Sequence, residues 1–149
     1  MKVFLTLIAF LPLALLTGCL EFGDDKELKD DQIDLAALRQ VTQVTGVIFP
    51  EGSKGKDYYY LGSGIDDALW LKASIPQGKK NEFLQNEIFS HADATPSAHM
   101  TLDRDWWKVD TLEKSAHYSM EINQKTEFVG CSIGIEAEEL IIYIYWFST

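Results

Sequence analysis

Apolar residues recur along this chain in two periods, and the switches between them mark the elements. From Asp31, the residues Ile33, Ala36 or Ala37, Val41 and Val44 return every three or four positions, with Leu35 and Leu38 broadening the stripe. That spacing predicts an amphipathic helix. Asp31 or Asp34 can cap its start, and Gly46 stands where it should stop. Val47 to Pro50 then reads as a short extended piece and Glu51 to Lys56 as a loop. The period next falls to two. Asp57 to Leu61 and Ala68 to Ile75 predict strands joined through Gly62-Ser63-Gly64-Ile65-Asp66-Asp67. In the second strand Leu69, Leu71, Ala73 and Ile75 form the core face, and Ala68, Trp70, Lys72 and Ser74 form a half-wet one. Pro76 ends that strand, and Gln77 to Ser90 predicts a second amphipathic helix led by Phe83, Leu84 and Ile88. His91 to Asp110 shows no period, which is long for a compact domain and marks a packed loop.

The C-terminal third predicts a meander of three strands, His117 to Ile122, Phe128 to Ile135 and Leu140 to Phe147, with turns near Asn123 to Lys125 and at Ala137-Glu138. Setting Ile135 opposite Leu140 puts Ile133 on Ile142, Cys131 on Ile144 and Val129 on Trp146, all soft or apolar. The same register puts Gly134, Ser132 and Gly130 opposite Ile141, Tyr143 and Tyr145 on the other face. Rings lying over cross-strand glycines account for both residue types. The expected fold is therefore α+β: a single small domain, with a mostly antiparallel sheet of about five strands and two helices packed on one face.

Charge narrows the function classes. The 149 residues carry a formal net charge of −10 at pH 7. That excess opposes binding to nucleic acid or adsorption to an anionic lipid surface, since both require clusters of Lys and Arg. The acidic residues are spread along the chain, so they serve solubility first and a basic partner second.

Candidate chemistry is sparse. Gly62-Ser63-Gly64 lacks the Lys-Ser/Thr pair and the strand-to-helix context of a phosphate loop, and Ser63 lacks the following helix of a nucleophile elbow. Asp66-Asp67 reads as turn residues. His91, Asp93 and His99 have ligand character but match no zinc spacing, and His117 alternates outward on its strand. No metal or cofactor is expected. No nucleophile, base and oxyanion donor assemble from these residues, so the reading is of a non-catalytic protein. Trp106-Trp107 is the most informative pair. Neighbours in an extended segment face opposite ways, so one ring enters the core while the other covers a surface or anchors a partner. Trp106, Trp107, Tyr143 and Tyr145 are the candidate binding residues, and Tyr58, Tyr59, Tyr60 and Trp70 extend the aromatic set.

The N-terminus gives the clearest motif. One cation at Lys2 precedes an uncharged run from Val3 to Leu16, and Leu16-Thr17-Gly18-Cys19 closes it. This resembles the lipobox of bacterial lipoproteins cut by signal peptidase II. The resemblance implies removal of residues 1–18, diacylglycerol in thioether linkage to Cys19 and an N-acyl chain on its freed amine. Because Leu20 rather than Asp follows, it also implies sorting to the outer membrane, facing the periplasm. Cys19 would then be consumed by lipid, leaving Cys131 with no intramolecular partner, and the strand pattern buries it. Residues 19–30, rich in Asp and Glu, read as the lipidated cysteine and an acidic flexible tether, and 31–149 as the globular domain. The order of helix, Phe49-Pro50, Gly64-Ile65-Asp66-Asp67-Ala68-Leu69, Ile75-Pro76, helix, Trp106-Trp107 and Tyr143-Ile144-Tyr145-Trp146 is similar to small bacterial lipoproteins and brings no activity with it. The expected function is a membrane-anchored protein-binding module of inhibitor, immunity or envelope-accessory type. The alternative is a small-molecule or glycan-binding lipoprotein using an aromatic face.

Overall fold

A computed structural model of the chain describes residues 25–62, 66–93, 101–123 and 126–149. These residues form one antiparallel sheet with two α-helices, an α+β fold. The strands are β1 (Lys26–Lys29), β2 (Lys54–Leu61), β3 (Ala68–Ile75), β4 (Ala92–Asp93), β5 (Glu113–Ile122), β6 (Glu127–Glu136) and β7 (Glu139–Ser148); the helices are α1 (Leu35–Thr45) and α2 (Lys80–Phe83). Their order across the sheet is β1-β2-β3-β7-β6-β5-β4. Six strands have four residues or more and β4 has two, against the expected five. Sequence reading missed the two-residue β4 and also β1, which lies inside the segment assigned to the tether. Its charged residues pair Lys26 with Tyr60 and Lys29 with Asp57 along the edge of β2. Backbone pairing along an edge needs no apolar side chains, and lysines are common on such edges, so composition alone did not reveal it.

The helix α1 forms where the period of three to four predicts it. The Asp34 carboxylate accepts a hydrogen bond from Ala37 N–H at 2.9 Å, capping the first turn. Gly46, at φ 72°, ends the helix in the left-handed conformation that glycine adopts without a Cβ clash. Ala37, Leu38 and Val41 face the sheet. Ile33 sits just before the helix against Gly55, where an added Cβ would lie 2.2 Å from the Ile33 Cγ2. Leu35, expected in the buried stripe, is instead 69% exposed. It occupies the first helical position, one turn before Leu38.

The second predicted helix is broken. Gln77–Lys79 is 3-10, α2 is a single turn, and Glu87–Ser90 is 3-10 again. Asn86 accounts for the break. Its amide donates to the Phe83 carbonyl at 2.7 Å and to the Ile48 carbonyl at 3.0 Å, and its oxygen accepts from Ile48 N–H at 2.6 Å. A side chain that bonds the backbone this way competes with the helical ladder. Phe83 and Ile88 are nevertheless buried, as their spacing predicted.

The meander register is the predicted one throughout, from Val129 opposite Trp146 to Ile135 opposite Leu140. One sheet face packs Leu69, Leu71, Val129, Cys131, Ile142 and Ile144 against Leu38, Val41, Phe83 and Ile88 in a single core. Burial pushes the Cys131 thiol well above its ordinary range, so it stays protonated and inert.

Candidate functional site

The opposite face of the sheet holds every candidate binding residue. Alternation along β7 sends Tyr143 and Tyr145 there, away from Ile142 and Ile144. Residues 101–112, before β5, cross this face. Of these, Trp107, Val109 and Leu112 join Ile141, Tyr143 and Tyr145 in a second buried cluster, with Trp70, Leu102, Trp106 and Phe147 at its margin. The small residues of β6 make the closure possible. A Cβ on Gly130 would meet Tyr145 Cε1 at 1.7 Å, so the ring lies on the bare backbone as predicted. Gly134 stands opposite Ile141 as predicted, and the side chain that lies over it, 2.8 Å from an added Cβ, is the loop residue Leu112.

Tyr143, Tyr145 and Trp107 are therefore interior residues, and of the four candidate binding residues Trp106 is the one left half-buried. A strand that is apolar on both faces needs a cover for each, and here the second cover is the chain's own loop. Trp107 meets the Tyr143 ring edge-to-face at 5.1 Å, and Trp106 meets Trp107 likewise at 5.5 Å. The two rings do not part as an extended segment would send them: Trp106 stands in a turn and packs on Trp107, which plugs the cluster while Trp106 lies half-buried on its rim.

A line of polar side chains crosses the same face in register, running Lys29, Asp57, Lys72, Tyr143, Ser132 and His117 from β1 to β5. Lys72 Nζ donates to Glu136 Oε1 at 3.0 Å and lies 5.4 Å from the centroid of the Tyr143 ring. The Tyr143 hydroxyl lies 3.3 Å from Glu136 Oε2 and 3.4 Å from the Trp106 carbonyl, two acceptors for its one proton. Burial pulls the Lys72 ammonium down, but Glu136 and Tyr143 together hold it above the ordinary lysine value. Desolvation raises the Tyr143 hydroxyl despite Lys72 beside it. His117, expected outside, is half-buried with Nδ1 at 2.7 Å from Ser132 Oγ. Ser132 is fully buried beneath the cluster, so that pair joins strands rather than meeting solvent.

What remains accessible is the rim near β1. Tyr59 stacks on Trp70 at 5.8 Å, and the Arg104 guanidinium lies 4.5 Å from the Tyr59 ring centroid. Arg104 also approaches Glu27 at 3.8 Å, and Tyr59 O–H donates to Asp25 at 3.0 Å. Loop, β2 and edge strand are thus clasped together. The indole N–H groups of Trp70 and Trp106 are buried without an acceptor among the described residues.

The remaining candidates serve structure or lie elsewhere. The Asp67 carboxylate accepts from Tyr60 O–H at 2.8 Å, while its backbone exchanges hydrogen bonds with Ser148. Residues 63–65, His99, the Asp93 side chain and Cys19 lie outside the described residues. Among the described residues no three ligand-type side chains gather as a metal site would require, and no helix is long and apolar enough to cross a membrane. Sequence reading missed two exposed apolar residues, Leu35 and Ile48, the latter 67% exposed. Leu35 matched a core stripe, and nothing in the helical period marks it as the outward member. No protein-family model, curated protein or solved structure matches this chain.

Proposed function

We propose that this chain is a lipid-anchored, non-catalytic protein-binding module of the cell envelope, held at Cys19 on the periplasmic side of the outer membrane. The observation that carries the reading is the lipobox Leu16-Thr17-Gly18-Cys19 standing so close to the first strand. The residues from Cys19 to Lys26 reach at most about 24 Å when fully extended. An anchored domain would stay near the bilayer, with the sheet end of Lys26, Leu61, Ala68 and Phe147 held toward the lipid. Two or three acyl chains, at about 0.8 kcal/mol per buried methylene, would make the attachment effectively permanent. The opposite sheet end, carrying the exposed Glu138 and the Lys56–Glu139 pair, would face away from the bilayer and toward a partner. The glycan-binding alternative needs an open aromatic platform, and Arg104 already covers Tyr59 while the loop covers Tyr143 and Tyr145.

Replacing Cys19 by Ser tests the anchor. Wild-type chain should partition with membranes and be released by detergent, and the C19S chain should retain residues 1–18 and lose the lipid. A C19S chain found at processed size in the detergent-soluble membrane fraction overturns the proposal. Amine-reactive cross-linking of intact cells tests the binding half: a discrete adduct with another envelope protein is expected, and a chain that stays free at every reagent concentration contradicts it.

A further inference from the structure

The two large apolar side chains that stand out in solvent among the described residues, Leu35 and Ile48, rim the same groove. It lies between α1 and the segment after it, encloses about 420 Å³ and has Leu38, Phe49 and Pro50 in its walls. Leu35 is also the ridge between this groove and a second cleft of about 650 Å³ toward β2, floored by Ile33 and Leu38. Scattered exposed apolar residues mean little, but two that converge on one concave surface mark an interaction site.

Both side chains stand on fixed backbone. Leu35 follows the Asp34 cap directly. The segment carrying Ile48 is bonded from three sides. Thr42 O–H donates to the Val47 carbonyl at 2.8 Å, the Thr45 hydroxyl accepts from Val47 N–H at 3.1 Å, and Asn86 bonds both the N–H and the carbonyl of Ile48. The helix break at Asn86 therefore has a second consequence, since the side chain that interrupts the helix is the one that presents Ile48. Anchors already ordered before contact lose little entropy on docking, the condition under which a few side chains carry most of an affinity.

Charge selects the occupant. The groove itself is lined by Glu51 and Arg39, and the adjoining cleft by Asp30, Asp31 and Asp34 with Lys54 and the ion-paired Lys56 and Glu139, so the two together hold five acidic side chains against three basic ones. A second copy of this chain, itself at net charge −10, would bring a like net charge to this acidic excess. We infer that the Leu35–Ile48 groove is the docking surface for a basic amphipathic segment of another envelope protein, whose apolar residues seat on Leu35 and Ile48 while its Lys or Arg residues meet Asp31 and Glu51. This rests on the protein-binding reading above and gives that reading its place on the fold.

The test uses the full chain in cells, with the photo-crosslinker benzoylphenylalanine installed in place of Leu35, of Ile48, and of the exposed residues Ser115 and Glu121 on β5 as controls. Both groove positions are exposed, so the substitutions should leave the fold intact. The expected result is the same heterologous protein adduct from both groove positions, mapped by mass spectrometry to a segment of net positive charge. Asp31→Lys with Glu51→Lys should reduce that adduct at least tenfold at unchanged melting temperature. An adduct with this chain itself, with lipid alone or with an acidic segment overturns the inference, as does insensitivity to charge reversal. Protein adducts from the β5 positions without any from the groove sink the groove and spare the binding module; no adduct from any position sinks both.

Discussion

The two faces of this sheet are built from the same strands but closed by different means. The first is covered by α1, α2 and the 3-10 turn after it, and its core is mainly aliphatic, with Leu69, Leu71, Ile142 and Ile144 at the centre. The second is covered by a loop and is aromatic and partly polar, with Tyr143, Tyr145 and Trp107 around the Lys72–Glu136 pair. The two indole N–H groups without acceptors among the described residues, those of Trp70 and Trp106, both lie on the second face. A buried donor without a partner costs about 1–3 kcal/mol. Aliphatic side chains can be packed by helices with no such loss. A loop that closes a sheet with tryptophan brings polar atoms inside and must find acceptors for them, and here it does so only in part.

The largest effects test whether the two closures are energetically equivalent. Phe83→Ala on the helix side and Trp107→Ala on the loop side should each destabilise the fold by about 3–5 kcal/mol, measured by chemical denaturation. A loss at Trp107 below about 1 kcal/mol would leave it in the range of an ordinary surface change and make the loop a removable cover. Gly130→Val probes the loop face from beneath, because its new side chain displaces the Tyr145 ring from the backbone. Overpacking of this kind should cost about 1–3 kcal/mol and lower the melting temperature, with a matching change in near-ultraviolet circular dichroism.

Alkaline titration should involve both faces together. Desolvation pushes Tyr58 and Tyr60 on the helix side up to about 12, and raises Tyr143 on the loop side above its ordinary value of 10.0. A tyrosine raised in the folded state keeps its proton where the unfolded chain has lost it. Stability is then fully present below pH 10 and falls as pH climbs through the folded values. The raised Lys72 acts in the same direction above its ordinary 10.5. Unfolding free energy measured from pH 8 to 12 should be flat at first and then decline, and a flat profile to pH 12 would show these groups to be exposed. The smallest effect belongs to Cys131→Ala, at about 1 kcal/mol, the usual scale for trimming a small core side chain. Thiol reagents should label Cys131 only in denaturant, and fast labelling of the native chain would mean the faces are reversed.

Much of this was readable from local pattern. Period-two alternation in β3, β6 and β7 predicted both faces and their register, because a slip of one residue would send Ile142 and Ile144 to the wrong side. The Asp34 cap and the Gly46 stop were readable for the same reason: capping is a matter of one or two residues. The edge strand β1 was not readable, because it is held by Tyr58, Tyr59 and Tyr60 some thirty positions further along. Nor was the break at Asn86, which depends on Ile48 approaching from another element.

Sequence by itself determined that the terminal strands are apolar on both sides and that Cys131 lies within a core alternation. It left open what would cover the second face. Tertiary structure decided that: the loop folds back, Leu112 reaches Gly134, Tyr145 lies on Gly130, and the aromatic residues offered as a surface become an interior. Leu35 and Ile48, unremarkable in the pattern, are left outside instead. The physical reason is range. Periodicity and capping are set within a few residues, whereas the cover of a face depends on which distant segment closes over it, and the chain reaches that arrangement only when all its layers are assembled.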